Sequence, residues 1–594
     1  ASEMHTYAKR RGCNKSPLND PLSPIAWREG ICCSLHMPNS RSRHLYSCFE
    51  LGLYDSPLVK WGYREKGFAM PDSRFKPYQQ NQLRLLPLDL SEMVPENHMA
   101  RVIDRVVESL DTRALEALYP GGGAPAYDPR MMLKVVLFAY ASGIYSSRKI
   151  SEATRSNVCL LWLTGCTPLD HMTVNRFRTE RLRGVFEGVF ADVVMLLAEL
   201  GHVTLDTYFL DGTKVEANAN KYSFTWRKSS EKHRDKLRAR IGELLDEVDA
   251  IDEEEERIAS GLPEPEELTS KDLDEIARRL NARLERRPGD KKAKKALRQV
   301  EGDFSERMRR YERDLADMGG RKSLSKTDRD ATFMRMKEDH MKNGQLKAGY
   351  NVQVGTENQF VVHATVHQRP GDAACMKPHL ESLKRSLGRI PSRVVADAGY
   401  GGEENYAYLQ EEGSRAFVKH QMFHKEQKRS FKDDPSQPLN WEYDAESDEW
   451  ECAGGRRLAF LREKRQKSSL GYESRVRVYG CPDCGGCEHA GACLKNGAEN
   501  RSIHVNPRYA QLKRRAAERL PSDEGVELRR RRATDVETVF GDVKRNWGFT
   551  RFTLRGIEKV AHEWRLLMMG HNLRKLAKAL AGSGAEGAGT PARA

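Results

Sequence analysis

Two short apolar runs in this chain each end in an aspartate, and the elements between them come in a telling order. The first run is Phe209-Leu210-Asp211-Gly212-Thr213-Lys214, and the second is Val394-Val395-Ala396-Asp397-Ala398-Gly399-Tyr400. Runs this short, bounded by turn signals, read as buried strands. Between them, Ala348 to Val354 and Phe360 to His367 read as a strand pair joined through Gly355–Gln359, and Ala373 to Leu387 as a helix. A strand with one Asp, a hairpin, a helix and a strand with a second Asp fit an α/β fold that brings both carboxylates to one sheet edge. Much later, Val536-Glu537-Thr538-Val539-Phe540-Gly541 places a Glu on a helix.

Two strand-borne Asp residues and a helix-borne Glu are what a site needs to hold a pair of hard divalent cations over a phosphodiester. Oxygen ligands suit Mg²⁺ or Mn²⁺, and two such ions stabilise both the entering and the leaving oxygen. Each carboxylate also has a plainer reading. Asp211-Gly212 is a turn signal, but strand-like alternation continues from Thr213 to Glu216, so the Asp lies within the element. Asp397 meets the same objection through Gly399, while Asp206 and Asp372 are set aside because neither follows a buried apolar run. Thr534-Asp535-Val536-Glu537 matches a capping box, in which the Glu would only bond a helix N-terminus. Lys544, seven residues after Glu537, falls on the same helical face two turns on, where it suits phosphate neutralisation. Arg529, Arg530, Arg531 and Arg532 read as DNA-backbone contacts or as a charged linker.

Over 594 residues, 99 Lys and Arg stand against 85 acids, a formal charge of +14 that favours a polyanionic partner. No run approaches the roughly 18 apolar residues of a membrane span; Met131 to Ile144 is too short and carries Lys134. A soluble cytoplasmic protein is the expectation, with no membrane partner. Residues 1–74 lack hydrophobic periodicity and read as a disordered or non-native extension ahead of a start at Met70, with Cys13, Cys32, Cys33 and Cys48 in it.

Residues 75–200 read as a helical DNA-binding region, in which Val102, Ile103, Val106, Val107 and Leu110 form one face and Asp128-Pro129 opens a second helix. There Arg148 and Lys149 in Ser146–Ile150, and Arg176 and Arg178 in Thr173–Arg178, set basic residues beside apolar ones. That pattern fits a helix-turn-helix-like unit, or equally a helical bundle with a solvated basic face. Residues 201–228 and 326–420 are the two parts of the α/β core. Between them, 229–325 is a coiled-coil-like helical insertion, with Leu237, Ile241, Leu244 and Val248 at helical steps. Residues 421–515 are a Cys-rich insertion, 516–580 the C-terminal core helices with Glu537, and 581–594 a disordered tail. Cys481-x2-Cys484-x2-Cys487-x5-Cys493, with His489 inside it and Cys452 upstream, indicates a structural Zn²⁺ before an iron–sulfur cluster.

With these residues in hand, the chain resembles the DDE-type transposases of bacterial insertion sequences, specifically the large family numbered eleven-eighty-two. The resemblance runs from about Phe75 to Leu580 through Tyr145–Ile150, Thr173–Arg178, Asp211–Tyr222, Lys347–Gln353, Ala396–Gly402, Val536–Lys544, Phe552–Gly556 and Gly570–Lys575. It implies an RNase H-like (retroviral integrase-like) core with Asp211, Asp397 and Glu537 as the catalytic triad. It also implies duplex DNA as partner, both terminal inverted repeats and target, with Lys214 and Lys221 among the DNA contacts and a homodimer as the active form. Asp211 would bridge two Mg²⁺ ions that Asp397 and Glu537 each complete. Related enzymes place a Tyr and an Arg seven and four positions before the Glu; this chain has Arg530 and Ala533 there, so those accessory roles do not carry over. An RNase H-like nuclease without strand transfer, and an inactive domesticated DNA-binding protein, are the alternatives.

Overall fold

Both aspartates lie on one mixed six-stranded sheet. The computed structural model describes residues 89–119, 125–250, 257–336, 344–495 and 497–586. The expectations for residues 1–74 lie outside these, as does residues 587–594 of the expected tail.

Strand β1 (Thr207–Glu216) is central. A small antiparallel pair, β2 (Phe224–Trp226) and β3 (Ser323–Ser325), flanks the charged helical segment. The sheet is completed by β4 (Thr332–Arg335), β5 (Leu346–Glu357), β6 (Phe360–His367), β7 (Arg393–Ala396) and β8 (Arg415–Val418), in the order β4-β5-β1-β7-β8, with β6 also paired to β5. β1 runs antiparallel to β5 and parallel to β7, and β7 runs parallel to β8. The expected element order is therefore present. The hairpin turn is tighter than the sequence suggests: pairing continues to Glu357↔Phe360. Asn358 and Gln359 alone make the turn, at φ 52° and 62°. Two consecutive positive φ values match the right-handed strand twist.

Helices cover both faces. Val102, Ile103, Val106 and Val107 are the buried stripe of Met99–Ser109, which lies between the short helices Leu90–Met93 and Arg113–Glu116. Pro129–Ala141 is capped by the Asp128 side chain and packs against the last helix, Ile557–Glu586. That last helix continues through 581–586, where the sequence suggested a tail. Its Gly570 lets the two helices close, since a Cβ there would sit 2.9 Å from the Ala141 amide nitrogen. Asn572, two residues on, bonds the β6 backbone as a peptide would, accepting from the Val361 N–H and donating to its carbonyl, each at 2.7 Å.

The charged segment folds as helices Arg227–Asp249, Ser270–Arg286, Lys291–Gln299 and Ser305–Met318. Leu237, Ile241, Leu244 and Val248 are buried there with Leu273, Ile276, Val300 and Met308 in a core of their own. C-terminal to β8, a second sheet follows the order β13-β12-β11-β10-β9: β9 (Glu442–Asp444), β10 (Glu449–Glu451), β11 (Arg457–Lys467), β12 (Glu473–Gly480) and β13 (Ser502–Val505).

Under β1 lies a buried polar chain. The Tyr208 hydroxyl is 2.6 Å from His379 Nε2, Thr365 Oγ1 is 2.6 Å from His379 Nδ1, and His363 is 3.0 Å from Ser382. Burial holds His363 down to about 3, His367 to about 4 and, on the last helix, His562 to about 3, and lowers His379 well below its usual value. Groups that stay neutral when folded but protonate when unfolded stabilise the fold fully above the unfolded histidine pKa near 6.5. That stability is lost as pH falls from about 6.5 towards 3–4. Each histidine contributes at most about 1.4 kcal/mol per pH unit. The urea midpoint of unfolding is expected to drop steeply between pH 6.5 and 4; a flat midpoint across that range would contradict the buried neutral state.

Candidate active site

Strand register alone sets the two aspartates side by side. Leu210 pairs with Ala396 across the parallel β1–β7 ladder, and Ala396 pairs with Val418 across β7–β8. The next residues along these strands are Asp211, Asp397 and Lys419, so they form a row across three adjacent strands, midway along β1 and just past the C-terminal ends of β7 and β8, about 4.8 Å apart per strand. Residues two apart on a strand share a face. Asp211 therefore points with Phe209, Asp397 with Val395, and Lys419 with Phe417. Phe209, Val395 and Phe417 pack together with Leu528 and Val536, on the helix Asp523–Gly541. All three polar side chains thus face the helix that bears Glu537.

That helix starts at Ser522, whose side chain accepts from the Gly525 N–H. Glu537 lies fourteen residues into the helix from Asp523, so a capping box does not explain it. The arginine run is likewise helical and not a linker. Arg532 stands on the same four-residue stripe as Leu528, Val536 and Phe540, facing the sheet. Its guanidinium is 3.1 Å from Asp211 Oδ2 and 3.8 Å from Glu537 Oε1. Arg531 donates to the Asn358 side chain at 3.0 Å and lies over the Phe209 ring. Arg530 pairs with Glu527, and Arg529 lies over Phe423. Asp535 braces the same helix on the hairpin, accepting from Thr356 Oγ1 at 2.6 Å and from the Gln359 N–H at 2.9 Å.

Lys544 lies within a wider helical turn, Asp542–Asn546, and its Nζ is 2.6 Å from Thr213 Oγ1. Thr213 shares its face of β1 with Asp211, so Lys544 reaches the side of the sheet that the Glu537 helix covers. The neighbouring Asp542 is held down to about 2, chiefly by the hydrogen bond from His571.

A fourth carboxylate, one that sequence reasoning set aside, lies on the opposite face of the sheet, against Gly212. Asp372 Oδ1 accepts from Asn351 Nδ2 at 2.7 Å and from Gln353 Nε2 at 3.3 Å. Gln353 in turn donates to Asn351 Oδ1 at 2.9 Å and accepts from the Tyr400 hydroxyl. The Asp-Gly pair at 211–212 is no turn: Gly212 is strand, and a Cβ on it would fall 2.2 Å from Gln353 Nε2 and 3.0 Å from Asp372 Oδ1. Tyr400 is driven well above its usual range by burial first, then by the negative charge of Asp372, Asp211 and Asp397. Asp372 enters from a loop, so no apolar run could announce it; the alternating amides of Asn351 and Gln353 were the available signal. Lys419 was also missed. Burial, then Arg529 and Arg532, lowers its pKa, and Asp397 opposes the shift.

The donor set is all oxygen, with a cationic guanidinium already among the carboxylates, and this chemistry suits Mg²⁺ or Mn²⁺. Among the described residues, no three His, Cys, Asp or Glu side chains are positioned to share one ion. Arg532, spanning Asp211 and Glu537, keeps those two groups occupied.

Of the other expected DNA contacts, Arg148, Lys149, Arg176 and Lys221 are exposed and Lys214 is half-buried. Arg178 departs from expectation. It is buried and donates to the Tyr140 hydroxyl at 2.9 Å and to the Tyr145 carbonyl at 2.6 Å, so it knits the N-terminal helices together. Cys481, Cys484, Cys487 and Cys493 line one cavity with Cys452 and His489. Burial raises the Cys481 and Cys493 thiols.

Residues 451–577 match a family model described as Transposase DDE domain, and residues 88–180 match one described as Transposase domain (DUF772). The class these matches define is a transposase. More closely, they support an insertion-sequence DDE transposase. No curated protein and no solved structure matches the chain. The DDE match takes in Glu537, Lys544 and the cysteine cluster, whereas Asp211 and Asp397 lie outside it. Their membership of the site rests on strand register.

Proposed function

We propose that this transposase binds the terminal inverted repeats of an insertion sequence, cleaves at their ends, and joins the freed 3′-hydroxyls to target DNA. The observation that carries the reading is the row Asp211–Asp397 set by the β1–β7 register, opposite a helix bearing Glu537. Asp211, Asp397 and Glu537 would hold Mg²⁺ or Mn²⁺, which when bound supply Lewis-acid stabilisation of the entering and leaving oxygens. Asp372 adds a carboxylate beneath that row, on the other face of β1, and is oriented by Asn351 and Gln353. Arg532 holds Asp211 and Glu537 together until cation and DNA arrive, and then offers its guanidinium to a phosphate, which it can bind bidentately. Lys419, at the end of the row, and Lys544, on Thr213, place further positive charge where a phosphodiester backbone would lie. No covalent protein–DNA intermediate is needed. The active form is a homodimer in this reading.

Duplexes carrying the element's ends, incubated with the protein, Mg²⁺ and target plasmid, test it. The expected result is cleavage at the repeat end followed by joined product. Cutting without joining would support a nuclease instead, and repeat binding without cutting would support a domesticated DNA-binding protein.

We also propose that Cys481, Cys484, Cys487 and Cys493, which line one cavity with Cys452, would close on a structural Zn²⁺ when it binds, since in this arrangement they are not yet placed to share an ion. Gly454 marks the crowding there: a Cβ would lie 2.9 Å from Cys487 Sγ and 3.9 Å from Cys452 Sγ. The Arg501 N–H donates to Cys484 Sγ at 3.3 Å, a contact that orients a ligating sulfur. Elemental analysis of purified protein is expected to find about one zinc per chain. Chelation is expected to lower the melting temperature, and finding iron or no metal would refute the assignment.

A further inference from the structure

The second sheet contains a feature that neither the site nor the metal cluster uses. β11 and β12 pair from Ala459↔Gly480 to Lys467↔Glu473 as a long two-stranded ribbon. β10 covers β11 only at Leu458 and Arg457, so beyond Ala459 the outer edge of β11 is open. Every residue from Ala459 to Lys467 is exposed. The two strands carry seven basic side chains, Arg457, Arg462, Lys464, Arg465, Lys467, Arg475 and Arg477, against two acidic ones, Glu463 and Glu473.

Charge on an open strand edge guards against edge-to-edge pairing, but either sign would do that. Two facts go beyond a guard. Arg465 stands directly opposite Arg475 in the ladder, and like charges so placed destabilise a sheet. Among the described residues, none of Arg462, Lys464 and Arg465 has a carboxylate within ion-pair distance. The ribbon thus keeps uncompensated positive charge where folding alone would disfavour it.

Its tip is fastened to the catalytic edge. Arg369, three residues before Asp372, donates to Ser469 Oγ at 2.5 Å and to the Ser469 carbonyl at 3.3 Å. Ser468 donates to Glu404 at 2.9 Å and Tyr472 to Glu403 at 3.0 Å. Those glutamates open the helix Glu403–Glu411, six residues beyond Asp397. The ribbon therefore leads away from the carboxylate row as a basic track.

We propose that the β11–β12 ribbon is a duplex-DNA-binding arm that holds the DNA adjoining the cleavage point. A two-stranded ribbon fits the major groove, and Arg and Lys on its exposed edge would neutralise flanking phosphates. The proposal rests on the DNA transposase reading above.

The test is the triple variant Arg462→Ala, Lys464→Ala, Arg465→Ala in the full chain, titrated with end-containing duplex at several salt concentrations. Affinity near 0.1 M salt is expected to fall about 30-fold or more, and the slope of log K against log salt to shrink by about three. Thermal melting is expected to stay as in the wild type. Residues 457–467 are expected to gain hydrogen-exchange protection when DNA binds the wild-type protein. Wild-type DNA binding with an unchanged slope in the variant, and no protection of the ribbon, would overturn the arm while leaving the transposase reading intact. Failure of the wild-type protein to bind any duplex would overturn both.

Discussion

Asp211→Asn is expected to reduce Mg²⁺-dependent cleavage of end-containing DNA by about 10³-fold or more. A carboxylate that shares divalent cations supports several kcal/mol of transition-state charge stabilisation, and each 1.4 kcal/mol is a factor of ten in rate. Asn keeps the shape of the side chain and an oxygen facing Arg532, 3.1 Å away in the wild type, so the strand and the helix above it should stay in place. The matching control is Asp206→Asn. Asp206 precedes β1 at its opposite end, where it pairs with Arg393 and Ser392, and its loss should cost stability without touching the chemistry. Single-turnover cleavage rates at saturating DNA separate the two variants. A folded, DNA-binding Asp211→Asn protein that cuts at the wild-type rate would remove Asp211 from the site.

Gly355→Ala is expected to be among the most damaging single substitutions in the core. Gly355 sits in β5 opposite Leu210, and the Tyr208 ring lies flush against it: an added Cβ would fall 1.7 Å from Tyr208 Cζ and 1.9 Å from its hydroxyl oxygen. Neither partner can easily yield. Tyr208 is fully buried and tied to His379, and the β5–β6 register already shifts at Gly355. Overpacking a tight core costs about 1–3 kcal/mol and sometimes more, and displacing the Tyr208–His379 hydrogen bond would leave buried polar groups unpaired at about 1–3 kcal/mol further. Denaturant unfolding should therefore show a loss of about 3–5 kcal/mol. Adding Tyr208→Leu, which removes the ring from that space, should recover part of it. If the double variant were no more stable than the sum of the two single losses, the steric account would fail.

Much of this architecture is legible in the chain because it rests on local pattern. The strands ending at Asp211 and Asp397 announce themselves as apolar runs, the hairpin as alternating residues around a turn, and the amphipathic helices through their spacing. Glu537 shows where local pattern misleads. Thr534–Glu537 has the composition of a helix start, yet it lies deep inside a helix that begins at Ser522. Helix-start signals are short and recur by chance; here the Ser522 side chain caps the true start, and Leu528 and Val536 pack the helix that runs on through Glu537 against the sheet. Arg178 misleads in the same way: a basic residue beside apolar ones looks solvent-facing, but two tyrosines give its guanidinium buried partners.

By itself, the sequence determined the α/β class, the two strand-borne aspartates, the helix-borne glutamate and the cysteine cluster, because each follows from residue type and spacing within a few positions. Only the tertiary structure decided which side chains share the site. Asp211 and Asp397 are 186 positions apart and meet through the register of two parallel strands. Arg532 comes down on Asp211 because a helix crosses the sheet above it, and Asp372 enters from a loop held by buried amides. Contacts of that kind depend on ladder register and helix placement, which are settled by the whole core at once and leave no local mark in the chain.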